Sequence, residues 1–224
     1  MPETPLDGPH LAPRSGRPAT SLVVLLHGYG ADGRDLIDLG QIWSQLLPDA
    51  AFVSPHAPEP LAIAPIGRQW FGYVERNDAE RWTGVQSAHR TLDAFLDTEL
   101  TRLGLPGNRL ALVGFSQGAM MALHTGLRRR EAPAGLVGFS GIHVLPTERG
   151  LDAFDTEITG RPPVLLVHGD RDETIAPSYL PRAVESLSAR GIRLRSHLSP
   201  GLGHGIDPVG LRLAGDFLAE VLRG

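Results

Sequence analysis

Short apolar runs alternate along this chain with stretches whose apolar residues recur every three or four positions. That rhythm predicts βα units and a mainly parallel sheet. The runs are Leu22-Val23-Val24-Leu25-Leu26, Ala51-Phe52-Val53, Leu110-Ala111-Leu112-Val113, Gly135-Leu136-Val137 and Val164-Leu165-Leu166-Val167. Their lack of a polar alternate marks strands covered on both faces. A last run, near Leu194 to Leu198, alternates leucine with polar residues and suits the sheet edge. Helical spacing appears from about Arg34 to Leu47, with Leu36, Leu39, Trp43, Leu46 and Leu47 on one face. It returns after Thr83, where Gln86 three residues on resembles a capping box, and then from Gln117, Ser178 and Pro208. No internal repeat or linker interrupts the series, so a single domain over residues 1–224 is expected, with residues 1–20 an N-terminal extension that could add an edge strand.

Two segments break the rhythm. Residues 57 to 81 interleave Pro58, Pro60, Pro65, Gly67 and Gly72 with Trp70, Phe71 and Tyr73, and Trp82 follows; residues 142 to 163 are also irregular. Long loops inside a compact chain usually carry function or are disordered, and this aromatic content argues against disorder in the first. Ile63, Trp70, Phe71 and Tyr73 are therefore expected to wall a modest substrate-binding pocket, the competing reading being that the aromatics fill the core.

Composition narrows the chemistry. The 224 residues include no cysteine, and all 21 basic residues are arginine. Thiolate metal sites, cysteine nucleophiles, Schiff bases and Ser-Lys dyads are thereby excluded. A net charge of −4 gives the surface no general attraction for nucleic acid. The run Arg128-Arg129-Arg130 falls at an expected helix end and reads as a solvated face. The N-terminus lacks a basic segment followed by an apolar one, and no apolar run reaches spanning length. A cytoplasmic address without membrane insertion is the expectation.

Against that background, Gly114-Phe115-Ser116-Gln117-Gly118 stands out. It has the form G-x-S-x-G between a buried strand and an apolar helix. A strand turning abruptly into a helix exposes the serine in a strained conformation, and side chains two positions either side would collide. The helix N-terminus beneath the serine favours developing negative charge. Such a nucleophile needs a base and an acid, following it in that fold as acid and then histidine. The strand ending at Val167 runs into His168-Gly169-Asp170-Arg171-Asp172, and the last strand runs into Gly201-Leu202-Gly203-His204-Gly205. Of nine histidines, His204 alone lies in a glycine-flanked loop after the last strand. Either Asp170 or Asp172 could be the acid; Asp170 could instead brace the turn, and Asp172 has more reach. Small residues in His27-Gly28-Tyr29-Gly30 let backbone approach a carbonyl, so the N–H groups of Tyr29 and Gln117 are the expected oxyanion donors.

The same stretch reads G-x-G-x-x-G at Gly28, Gly30 and Gly33, the dinucleotide-binding signature. That reading needs an acid at the end of the next strand, which ends Val53-Ser54-Pro55-His56. It fails there and leaves Ser116 unexplained.

Together, Leu26-His27-Gly28-Tyr29-Gly30, the Ser116 elbow, Ser140-Gly141, His168 to Asp172 and Gly203-His204 resemble the phospholipase/carboxylesterase family, which includes acyl-protein thioesterases. The segment Gly67-Arg68-Gln69-Trp70-Phe71 is similar to the family's Trp-Phe pocket segment in its bacterial carboxylesterase branch. Tyr29 stands where many thioesterase relatives carry leucine, and Gly203-His204-Gly205 is a bacterial-type ending. The resemblance implies an α/β-hydrolase fold, with Asp172 as the acid, and the segment between Ser140 and Pro163 is too short for a large cap domain. It implies serine esterase activity on small-molecule esters of short to medium chain, with no cofactor and no metal. Thioesterase or lysophospholipase activity would use the same machinery, and a binding module would retain the scaffold with a dead site. Some members of that family pair, so the resemblance admits a homodimer.

Overall fold

The computed structural model describes residues 6–61, 64, 66–146 and 156–223. Strand β1 (His10–Leu11) is followed by β2 (Ser21–Leu26), helix α1 (Arg34–Trp43), β3 (Ala50–Val53), and the short strands β4 (Glu59–Pro60) and β5 (Arg68–Gln69). Next come α2 (Asp78–Leu103), β6 (Leu110–Phe115), α3 (Gln117–Arg128), β7 (Gly135–Phe139), β8 (Val164–Gly169), α4 (Tyr179–Ser188), β9 (Leu194–Ser199) and α5 (Pro208–Leu222). Seven strands form one sheet in the order β1-β3-β2-β6-β7-β8-β9. All neighbours are parallel except β1, which pairs antiparallel with β3 at one edge of the sheet.

The uninterrupted apolar runs become the buried strands, and their period of two divides them between two cores. Leu22, Val24 and Leu26 of β2, with Leu110 and Leu112 of β6, face a core shared with Leu92, Leu96, Met120 and Leu187. Val23, Leu25, Ala111 and Val113 face the other, with Leu36, Trp43, Phe217 and Leu218. Thus α2, α3 and α4 cover one face, while α1 and α5 cover the other. Strand β9 lies at the free edge, and its alternation follows from that position.

Two boundaries differ from the sequence pattern. Helix α2 begins at Asp78, not Thr83, because Asn77 caps it: its side chain accepts the Glu80 N–H at 2.9 Å. The Glu80 carboxylate in turn accepts the N–H groups of Val74 and Arg76, both at 2.7 Å. Helix α1 stops at Trp43, which leaves Leu46 half exposed. The arginine run is a solvated face only at Arg130, which is exposed. Arg128 pairs with Glu157, and Arg129 is buried between Asp93 and Asp97 of α2.

The strand order fixes where a site can form. From β2 the chain moves to β3 on one side, then returns to place β6 on the other. Loops leaving β2 and β6 diverge there, opening a crevice at the carboxyl ends of the strands. The register aligns those ends: Leu26 pairs with Gly114, Phe115 with Phe139, and Gly169 with Ser199.

Candidate active site

Ser116 stands at that crevice between β6 and α3, with φ 54° and ψ −117°. An L-residue holds such a conformation only at a cost of about 1–3 kcal/mol, so its neighbours must enforce it. The flanking glycines show how. A Cβ on Gly114 would lie 2.2 Å from the Gly118 carbonyl oxygen, and one on Gly118 would lie 1.9 Å from that of Leu26. Only backbone fits, so β2, β6 and the start of α3 close together beneath Ser116.

The loop after β2 lies against this turn, since a Cβ on Gly28 would stand 3.3 Å from the Ser116 Cβ. Its shape is held by His27, which is buried and uncharged. Nδ1–H donates to the Gly28 carbonyl at 2.8 Å, and Nε2 accepts the Ala57 N–H at 3.0 Å. Burial lowers the His27 pKa to about 4, against weaker opposing contributions from Gly28 and Asp32. Among the described residues, neither the Tyr29 nor the Gln117 N–H donates a hydrogen bond within the protein. Both amides are available to an oxyanion.

Asp172 and His204 meet at the ends of β8 and β9. The His204 Nδ1–H donates to Asp172 Oδ2 at 2.8 Å. A carboxylate only accepts, so this bond fixes the proton on Nδ1 and leaves Nε2 as a base. Asp172 is 4% exposed, and its charge is met by the N–H groups of Thr174 and Ile175 at 2.9 and 2.8 Å. Asp170 takes the other role: its carboxylate accepts the Gly201 N–H at 2.6 Å and braces the histidine loop. The His204 ring lies 4.9 Å from that of Phe115, the residue before the serine. Among the described residues Ser116 Oγ has no hydrogen-bond partner, so the serine–imidazole contact is not closed. Hydrogen bonds between a nucleophile and its base often tighten only in the substrate complex.

The four expected pocket residues divide. Trp70 and Phe71 are each 1% exposed and belong to the core rather than to an open wall. The reason is Gln117, whose side chain the motif pattern left unread. Its Oε1 accepts the Trp70 N–H and its Nε2 donates to the Phe71 carbonyl, both at 2.9 Å. The Trp70 indole N–H also donates to the His27 carbonyl at 2.9 Å. The aromatic segment is therefore a buttress under the Tyr29 loop. Tyr73 is half-buried, its ring 6.3 Å from that of Tyr29. Ile63 lies outside the described residues.

Two further residues brace the site. His168 Nε2 donates to the Ile175 carbonyl at 2.9 Å and lies 3.3 Å from Asp172 Oδ2. Its spacing, four residues before Asp172, was the available signal. Ser140 Oγ donates to the Gly205 carbonyl, next to His204, at 3.3 Å, from a backbone at φ 46°. No sequence pattern marks that strain on a non-glycine residue. Among the described residues no group of histidine, aspartate and glutamate side chains could hold a metal ion, and no helix is long and apolar enough to cross a membrane. The helix start after Gly33 is also occupied, because the Gly33 N–H donates to His56 Nδ1 at 3.1 Å.

The sequence profile of the Phospholipase/Carboxylesterase family matches residues 12–222. The crystal structure of esterase PE8 is 45% identical, with a TM-score of 0.91 over 98% of this chain and all of the other. Esterase YpfH of Escherichia coli K12 is 29% identical over 202 residues, covering 90% of this chain and 83% of its own. Acyl-protein thioesterase 1 of Neurospora crassa is 26% identical over 228 residues, covering 96% and 91%. The chain thus belongs to the phospholipase/carboxylesterase family of carboxylic ester hydrolases and carries its α/β-hydrolase fold.

Proposed function

We propose that the protein is a serine carboxylesterase that hydrolyses short- to medium-chain esters through Ser116, His204 and Asp172. His204 Nε2 takes the Ser116 proton as Oγ attacks the ester carbonyl, and Asp172 stabilises the imidazolium. The Tyr29 and Gln117 amides receive the oxyanion. The imidazolium then protonates the departing alcohol, leaving an acyl-serine. Water, deprotonated by the same Nε2, attacks that ester, and the imidazolium returns the proton to Ser116 Oγ as the C–Oγ bond breaks and the acid leaves. The observation that supports this reading is a serine in a strained strand-to-helix turn and a carboxylate-oriented imidazole, both at the carboxyl ends of the sheet's strands.

Replacing Ser116 by alanine should lower kcat for a 4-nitrophenyl ester by about 10⁴- to 10⁶-fold and abolish labelling by a fluorophosphonate. Near-normal turnover in that variant would overturn the assignment. A second reading is acyl-thioester hydrolysis with the same machinery, favoured by the similarity to acyl-protein thioesterase 1 over 96% of this chain. Matched oxygen esters and thioesters of equal chain length separate the two by kcat/KM.

A further inference from the structure

Beside the candidate site lies a cavity of about 180 Å³ with an unusual charge arrangement. One wall, Ile142 to Pro146, begins directly after Gly141, where a Cβ would stand 3.1 Å from the Ser116 carbonyl oxygen. The opposite wall is the start of α2, with Asp78 and Arg81. It reaches the oxyanion loop through Tyr73, whose hydroxyl accepts the Arg81 Nε–H at 2.8 Å and whose ring faces Tyr29. The start of α4 closes the third side with Tyr179 and Arg182.

Two guanidiniums converge on one phenol ring here. Arg81 and Arg182 each lie with Cζ 5.7 Å from the Tyr179 ring centroid. Arg76 stands behind, 5.7 Å from the Tyr73 ring. Among the described residues, the carboxylates paired with or next to these cations are Asp78, paired with Arg81 at 2.7 Å, and Glu80, which accepts the Val74 and Arg76 N–H groups. Arg182 has no carboxylate partner among the described residues. Among the described residues Arg182 is thus a guanidinium left without an ion pair, and its planar fork suits a carboxylate. Ile142, Val144 and Leu145 supply apolar surface between that charge and the serine. The cavity has room for a short chain and one anionic head.

Resting on the esterase reading above, we infer that this cavity is a subsite for an ionised carboxylate carried by the substrate a short chain away from the scissile ester. The substrates are then half-esters or other acidic esters, not wholly apolar ones.

The test compares three probes at low ionic strength: 4-nitrophenyl hexanoate, the 4-nitrophenyl half-ester of adipic acid, and 4-carboxyphenyl hexanoate. The last two place the charge on the acyl and the alcohol side. In Arg182→Gln, the kcat/KM of one acidic probe relative to the neutral ester should fall about tenfold, mainly through KM. Arg182→Glu should deepen that fall, and about 1 M salt should erase the wild-type preference. Unchanged ratios for both acidic probes in both variants overturn the subsite while leaving the esterase reading intact. Failure of the wild-type protein to turn over any probe overturns the esterase reading, and the subsite with it.

Discussion

Acid should unfold this protein through its buried histidines before it protonates most carboxylates. His27 is fully buried, with a pKa lowered to about 4. His143, against the Arg128 and Arg190 charges, is lowered by burial to about 3. His124 is pushed well below the usual value, again mainly by burial. In the unfolded chain each returns to about 6.5. Below that pH the unfolded state binds protons the folded state refuses, so stability is complete above pH 6.5 and falls as the pH drops toward the folded values. At pH 5.0 an unfolded imidazole is about 97% protonated, whereas one with a pKa near 4 is about 10% protonated. The linkage difference between pH 7.5 and 5.0 is then about 2 kcal/mol for His27 and about 2 kcal/mol for His143. A total near 4 kcal/mol is a large part of the roughly 5–15 kcal/mol that holds a domain folded.

Urea denaturation followed by the fluorescence of Trp43 and Trp70, both 1% exposed, measures this at the two pH values. His27→Gln should keep a donor for the Gly28 carbonyl and an acceptor for the Ala57 N–H while removing the titration. Whatever that substitution costs at pH 7.5, the loss between pH 7.5 and 5.0 should shrink by about 2 kcal/mol. An identical pH dependence in the wild-type protein and His27→Gln would refute the reasoning.

Two further outcomes follow from the buttressing of the site. Trp70→Ala should destabilise the fold by about 3–5 kcal/mol, as expected for a buried indole, and leave acyl-chain preference unchanged; an altered chain-length profile with a normal Tm would return Trp70 to the pocket wall. His168→Phe leaves the Ile175 carbonyl unpaired and the Asp172 loop less constrained. Under the proposed mechanism it should lower kcat roughly tenfold with KM nearly constant, and a change confined to KM would count against that role.

What the sequence made legible is what backbone sterics dictate locally. Gly114 and Gly118 are readable because no other residue avoids carbonyl oxygens at 2.2 and 1.9 Å. The buried strands are readable because residues such as Val23 and Val24 face two different cores with no polar alternate. Misreadings arose where a distant partner decides the outcome. Trp70 and Phe71 could wall a pocket or fill a core until the Gln117 side chain, 47 and 46 residues away, turns them inward. Arg129 looks solvated until α2 brings Asp93 and Asp97 to it.

His27 shows the same dependence most sharply, because its place in the loop after β2 says nothing about its protonation. One ring nitrogen takes its partner from the next residue and the other from Ala57, 30 residues on. Those two contacts hold the ring neutral and aim the Tyr29 loop. A histidine with a bland sequence context therefore couples the shape of the candidate oxyanion site to the acid limit of the whole fold.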